Sequence, residues 1–397
     1  MVVTHRQPIS LVTGICAGRL LGVSDTIPNI TIPADLLPSD GRFGSGPSKV
    51  RTQAVDALAA TGTSFMGTSH RKDPVKDIVL RMQDGMRQLF SLPSDWDVMI
   101  GNGGATILWD ALTFGFIAQK SQHLSFGEFG SKFAKAAQQA PHLTDPTVIE
   151  SDVGSHPVLV ADDAIDTYCF THNETSTGVA MGVTRPLGAA GLICVDATSA
   201  AGGMRWSPEQ ADLYYFSPQK CFASDGGLYI ALASPAASTR IDEIAASDRW
   251  IPAGLDLKTA LDNSRKKQTY NTPSLATIFM TMHMVEWMNK NGGLEFAAGR
   301  CDESSSHIYD WADSHHLATP FVSDLSMRSS VVCTIDFDDV VTADTVASVL
   351  AANGIVGTDS YRKLGRNQLR LAAFPAIDPD DTRALTACID YVIGELT

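Results

Sequence analysis

The sequence predicts an α/β protein with a large domain on a mainly parallel sheet covered by helices, followed by a smaller α+β domain. Three observations predict it. Short apolar segments without strict alternation, LICVDATS, LYYFSP and GLYIALAS, are what a sheet buried on both faces leaves in a sequence. WDVMI, GNGG and ATILWDALTFGFI read in succession as strand, glycine turn and helix. Past about residue 280 the texture changes to long helices and alternating strands.

In chain order, residues 1–22 are expected to be a non-structural extension, upstream of the true start. They look only faintly like a signal peptide, because Arg19 interrupts the apolar stretch and no small-residue cleavage site follows cleanly. The polar, proline-rich SDTIPNITIPADLLPSDGRFG then reads as the start of the mature chain, with Val23 a candidate initiator if its codon is GTG. The large domain is expected over 23–280. DPVKDIVLRMQDGMRQLF within it spaces Val75, Ile78, Val79, Met82, Met86, Leu89 and Phe90 helically, which predicts a helix packed on a core. A helix around TIFMTMHMVEWMNKNGG stops at Gly292 and Gly293, and a helix-rich segment follows to about residue 318. The small domain, 281–397, is expected to hold strands at VVCTIDF and NQLRLAAF, with helices at DTVASVLAANG and DTRALTACIDYVIGEL.

Composition excludes several functions. The chain has 397 residues, and its 44 acidic against 30 basic residues give a charge of −14. That argues against a basic surface for nucleic acid or an anionic membrane, so any anionic ligand needs a local basic pocket. No apolar run approaches the roughly 18 residues of a membrane span. Seven cysteines, at 16, 169, 194, 221, 301, 333 and 388, are scattered and never arranged as C-x-x-C. Neither a zinc knuckle nor a disulfide framework is expected, and a reducing cytoplasm fits best. Of the ten histidines, only His70 and His172 fall in the motifs below, and none has metal-ligand spacing, so no metal is expected.

Lys220 stands between the strand-like LYYFSP and the turn ASDGG. A loop lysine is ordinarily a solvated charge. Here two glycines let the backbone approach a ligand, and a partly desolvated lysine can attack a carbonyl to form a Schiff base. Asp196 ends the apolar strand LICVD, outside the carboxyl ends of the sheet, where functional groups collect in open α/β folds. A carboxylate there can keep a pyridine nitrogen protonated, although a helix cap is the ordinary role of such an aspartate. GNGGAT offers backbone N–H groups and the Thr106 hydroxyl at a helix start, where an anion is favoured. It half-matches the dinucleotide fingerprint, but the third glycine and the later acidic residue are missing, which leaves an NAD-dependent dehydrogenase as a remote alternative.

FGSGPSKV, GTSHR, GNGGAT, HNETSTG, DATSAAGG, SPQK and QTYNTP occur in one order, and together they resemble the phosphoserine aminotransferase family in its actinobacterial form. The resemblance runs from about Ile32 to the C-terminus. It implies a class V, fold type I enzyme that uses pyridoxal 5′-phosphate and works as a homodimer with a site shared across the interface. Lys220 is then the lysine that carries the cofactor, and Asp196 partners its pyridine nitrogen. Thr175 is implied for the phenolic oxygen and Gln219 for the phosphate. Gly104, Ala105 and Thr106 are implied to meet the phosphate from one subunit, and Asn271 and Thr272 from the other. Phe129 falls where many relatives place a stacking tryptophan, its alternative being a core aromatic on an amphipathic helix.

For substrate, the resemblance implies His70 and Arg71 for a distal anion and Arg370 for the α-carboxylate. The family's glycine-arginine pair is Ala105-Thr106 here, and its upstream His-Arg pair is replaced by YRKLGRN, which makes Lys363 or Arg366 the expected second phosphate ligand. The implied reaction moves an amino group from L-glutamate to 3-phosphooxypyruvate, giving O-phospho-L-serine and 2-oxoglutarate. A phosphorylated threonine analogue on the route to vitamin B6 is a further implied substrate, and a class V aminotransferase acting on an unphosphorylated 2-oxo acid is the alternative.

Overall fold

The computed structural model describes residues 27–397. The extension expected at 1–22 lies outside the described residues. The helices are α1 (Thr52–Ala60), α2 (Asp73–Leu89), α3 (Gly104–Gly115), α4 (Glu128–Gln139), α5 (Pro235–Ala245), α6 (Leu257–Ser264), α7 (Leu275–Lys290), α8 (Gly293–Ser314), α9 (Ala343–Ala352) and α10 (Pro379–Leu396). The strands of the large sheet are β1 (Asp97–Asn102), β2 (Ser121–Ser125), β3 (Thr147–Glu150), β4 (Thr167–Thr171), β7 (Leu192–Asp196), β8 (Leu213–Phe216) and β9 (Leu228–Ala233), with the two-residue pair β5 (Asn173–Glu174) and β6 (Val179–Ala180) beside it.

The seven strands run in the order β1-β9-β8-β7-β4-β2-β3. From β3 to β8 every neighbour is parallel, whereas β9 lies antiparallel between β8 and β1. Alternate residues explain the apolar runs. Tyr214, Phe216, Ile230 and Leu232 face a core shared with Met82, Met86 and Val285. Leu213, Tyr215, Ala231 and Ala233 face the opposite core, with Leu108, Leu112 and Leu261. Because both faces are covered, no polar alternation is left to read.

The pairing aligns the strand ends. Thr171 sits opposite Asp196, and Asp196 opposite Tyr215, so β4, β7 and β8 finish at one level. The loops beyond them carry the chemistry.

A second, antiparallel sheet joins β10 (Ala318–Pro320), β11 (Val332–Phe337) and β12 (Gln368–Ala372). Its core takes residues of α8, α9 and α10, and also Ile32 and Phe43 from the start of the described chain. Phe43 N–H donates to Val356 O at 2.9 Å, and Ala372 N–H donates to Phe43 O at 3.2 Å. The expected boundary at 280/281 falls inside α7, whose Leu275 to Met288 pack in the large core. Helix α8 serves both parts, with Ala297 in the large core and Cys301, Ile308 and Tyr309 in the small one. Hydrophobic period marks these helices but does not say which sheet they cover.

Candidate active site

A cavity of about 400 Å³ opens at the carboxyl ends of β4, β7 and β8. One wall is the start of α3, where Gly103 and Gly104 take φ of 109° and 76° and turn the chain from β1 directly into the helix. Such angles suit glycine alone at low cost. Gly104, Ala105 and Thr106 all line the cavity. The N–H of Ala105 is already used, donating at 2.9 Å to Ser217 Oγ, which itself donates to Leu228 O. That donor is therefore engaged within the chain, because β8 and the start of β9 approach α3 closely enough to take it.

Asp196, Gln219 and Lys220 line the same cavity. Asp196 is buried, and its Oδ1 accepts from Thr198 N–H at 2.9 Å while Oδ2 accepts from the Trp109 indole N–H at 3.0 Å. Burial pushes this carboxyl up, and the Thr198 and Trp109 donors oppose it. The Lys220 ammonium donates to Ser45 O, and a side chain at Gly46 would overlap it. Burial, then the charge of Arg370, bring the lysine down from the ordinary value of 10.5 to about 8. An amine so placed is far more often neutral near neutrality than a lysine in water.

Phe129 and Thr175 complete the cavity wall. The buried Glu174 sets Phe129 by accepting from the N–H groups of Phe129 and Gly130 at 3.1 Å and from the Ser176 hydroxyl at 2.6 Å, which caps α4 from outside the helix. Thr175 Oγ1 donates to Ser199 Oγ at 2.8 Å. Arg370 comes from β12 of the small sheet. Its Nη1 donates to Thr175 O at 3.4 Å, its guanidinium lies 5.2 Å from the Tyr361 ring, and its buried Nε has no partner.

The remaining expected residues stand elsewhere. Lys363 is exposed and pairs with Glu128, next to Phe129. Arg366 is turned onto Asp336, with its guanidinium 4.5 Å from the Phe321 ring, so the structure engages it away from the cavity. His70, Arg71, Asn271 and Thr272 form a separate patch. Arg71 Nη2 donates to Tyr270 O at 3.3 Å, and Asn102 Nδ2 donates to Asn271 Oδ1 at 2.7 Å. His70 is buried with its Nε2 unpartnered, whereas Arg71 and Tyr270 are exposed. None of the four lines this chain's Lys220 cavity. Sequence reasoning missed Trp109, Thr198, Ser199, Asn173 and Gly46. Gly46, Asn173, Thr198 and Ser199 lay inside quoted motifs, but Trp109 is one apolar residue in an apolar helix.

Pyridoxal phosphate fits these residues. The cavity joins an amine, a buried carboxylate, an aromatic wall and a helix N-terminus, and the Asn173 Oδ1 and Gln219 Oε1 atoms within its lining are buried without partners. Polar atoms are rarely buried unpaired, so a polar ligand is the natural complement.

No protein-family model matches the chain. A Nocardioides phosphoserine aminotransferase is 56% identical over 370 residues, which cover 92% of this chain and 99% of that protein. Among solved structures, a phosphoserine aminotransferase from Cytophaga hutchinsonii superposes with a TM-score of 0.81 at 21% identity, covering 88% of this chain and 99% of that one. The pyridoxal-phosphate-bound enzyme from Trichomonas vaginalis does so with a TM-score of 0.75 at 17% identity, over 88% and 99%. These structures share the fold, and the curated relatives set the class, a pyridoxal-phosphate-dependent aminotransferase. Within that class, the chain belongs to the phosphoserine aminotransferase family.

Proposed function

We propose that the chain transfers the amino group of L-glutamate to 3-phosphooxypyruvate, giving O-phospho-L-serine and 2-oxoglutarate for serine synthesis. The observation that carries this reading is Lys220 lining one cavity with the buried Asp196, with Arg370 beside it. Pyridoxal phosphate supplies, when bound, an electron sink for a carbanion at the substrate α-carbon. Asp196 would hold its ring nitrogen, Phe129 its ring face and Thr175 its phenolic oxygen. Gln219, Thr106 and the α3 N-terminus would hold its phosphate. Lys220 would carry the cofactor and, with its amine free, would move the proton at the substrate α-carbon. Its lowered pKa suits both roles, since each needs the neutral amine.

Arg370 would bind the α-carboxylate through its planar fork. Lys363 is the better candidate for the substrate phosphate, because Arg366 is committed to Asp336 while Lys363 holds only the Glu128 carboxylate, an anion that a phosphate can replace. A homodimer would let the exposed patch of Arg71, Asn271 and Thr272, with His70 behind it, complete the partner's cavity. We keep the division into a large domain and a smaller C-terminal one, with α8 as the link between their cores. A cytoplasmic location suits a chain whose six described cysteines are free and buried.

The test is an assay of phosphoserine formation with glutamate as donor, in which hydroxypyruvate and the 2-oxo acid that corresponds to the phosphorylated threonine analogue of the vitamin B6 route compete as acceptors. Preference for 3-phosphooxypyruvate of about a hundredfold in kcat/KM is expected for a site that pairs a phosphate. Equal use of hydroxypyruvate would replace this reading with an aminotransferase of unphosphorylated 2-oxo acids.

A further inference from the structure

An aspartate can serve a pyridine nitrogen only if its carboxylate is held in one orientation. The two N–H donors to Asp196, with the buried Tyr215 hydroxyl beside them, differ in origin. Thr198 is local, two residues along the same loop. Trp109 comes from α3, and its indole N–H reaches Oδ2 at 3.0 Å within the cavity lining. On α3, Trp109 lies four residues after Ala105, about one helical turn further along the same face. One helix therefore presents its N-terminus to the phosphate end of the cavity and an indole N–H to the carboxylate at the ring end.

The indole is itself fixed. It is buried and stacks on Phe133 of α4, with centroids 6.3 Å apart and an interplanar angle of 16°. Phe133 follows Phe129 by four residues, so α4 supports Trp109 with one turn and lines the cavity with the turn before. Thus α3 and α4 meet through Trp109 and Phe133, each one turn beyond a residue that lines the cavity, Ala105 and Phe129.

We propose that Trp109 is a positioning residue whose indole N–H orients the Asp196 carboxylate toward the cofactor's ring nitrogen. The proposal rests on the reading of Asp196 as the ring-nitrogen partner. The hydrogen bond is charge-assisted and shielded from water, the setting in which one donor matters most.

The experiment is equilibrium dialysis of cofactor-free protein against pyridoxal phosphate and against its 1-deaza analogue, in which carbon replaces the ring nitrogen. Wild type, Trp109→Phe, Asp196→Asn and the double variant are compared. Incorporation of 3-benzothienylalanine at position 109 keeps the bicyclic shape without the N–H and covers the case in which the phenylalanine variant does not fold. Loss of the donor is expected to weaken pyridoxal phosphate about tenfold and the analogue less than about twofold, with no further loss in the Asp196→Asn background. Equal weakening of both ligands, or full additivity with Asp196→Asn, would assign Trp109 to packing alone and overturn the proposal. If wild type binds the two ligands equally, Asp196 is not the ring partner, and the proposal falls together with the reading beneath it.

Discussion

At the scale of single residues, the lowered pKa of Lys220 has a sign that can be checked. Burial, with help from Arg370, makes the folded state release the proton at about 8, whereas the unfolded lysine keeps it to 10.5. Between those values the unfolded chain binds more protons, so this group raises stability as pH rises through that window. Urea unfolding of cofactor-free protein, compared with Lys220→Met, should show the native lysine gaining on methionine from about pH 8 to about pH 10.5. A flat difference would mean that the amine is solvated. Lys363→Ala should raise KM for 3-phosphooxypyruvate by about threefold to tenfold with less effect on glutamate, and Arg366→Ala should leave both within about twofold, as steady-state kinetics would show. Lys220, Asp196 and the GNGGAT turn were legible because strand ends and glycine turns mark functional places in α/β sequences. Trp109 was not, because its partner is set by how α3 approaches β7. The engagement of Arg366 by Asp336 was hidden for the same reason, since the two face each other only across the pairing of β11 with the segment preceding β12.

Among elements, α4 is held at its start by a buried carboxyl group. Glu174 accepts the first N–H groups of α4, and a side chain at Gly127 would run into it. Glu174→Ala should lower stability by about 1–3 kcal/mol, read by urea unfolding, and loosen Phe129 from the cavity wall, read as weaker cofactor binding. Unchanged cofactor affinity would show that Phe129 is held by its own packing. Half of the helices and strands were readable in sequence: α2, α3, α7, α9, α10 and the strands β1, β7, β8, β9, β11 and β12 coincide with the segments that periodicity and apolar runs marked. The antiparallel insertion of β9 was not readable, because a strand buried on both faces looks the same in either direction. Strand β10 has only three residues and leaves no pattern to detect.

For the whole molecule, the separation of His70, Arg71, Asn271 and Thr272 from the Lys220 cavity turns the proposed dimer into a complementation experiment. Lys220→Ala and Arg71→Ala homodimers should each be nearly inactive, and mixing after reversible dissociation should restore about a quarter of wild-type activity, since half the dimers would carry one intact site. No recovery would place Arg71 and Lys220 in one subunit's site, or outside a shared one. The order of motifs along the sequence foretold this chemistry, but the docking of Ile32 and Phe43 into the small core was not foretold, because an extended, turn-rich segment carries no period. The most direct single measurement is the visible absorbance of the protein reconstituted with pyridoxal phosphate, followed on adding glutamate and then 3-phosphooxypyruvate, with Lys220→Ala in parallel. Glutamate should bleach the band of the lysine-bound cofactor and 3-phosphooxypyruvate should restore it, with no such band in the variant. A band that persists in Lys220→Ala, or one that glutamate leaves untouched, would contradict the assignment of Lys220 and of the amino transfer.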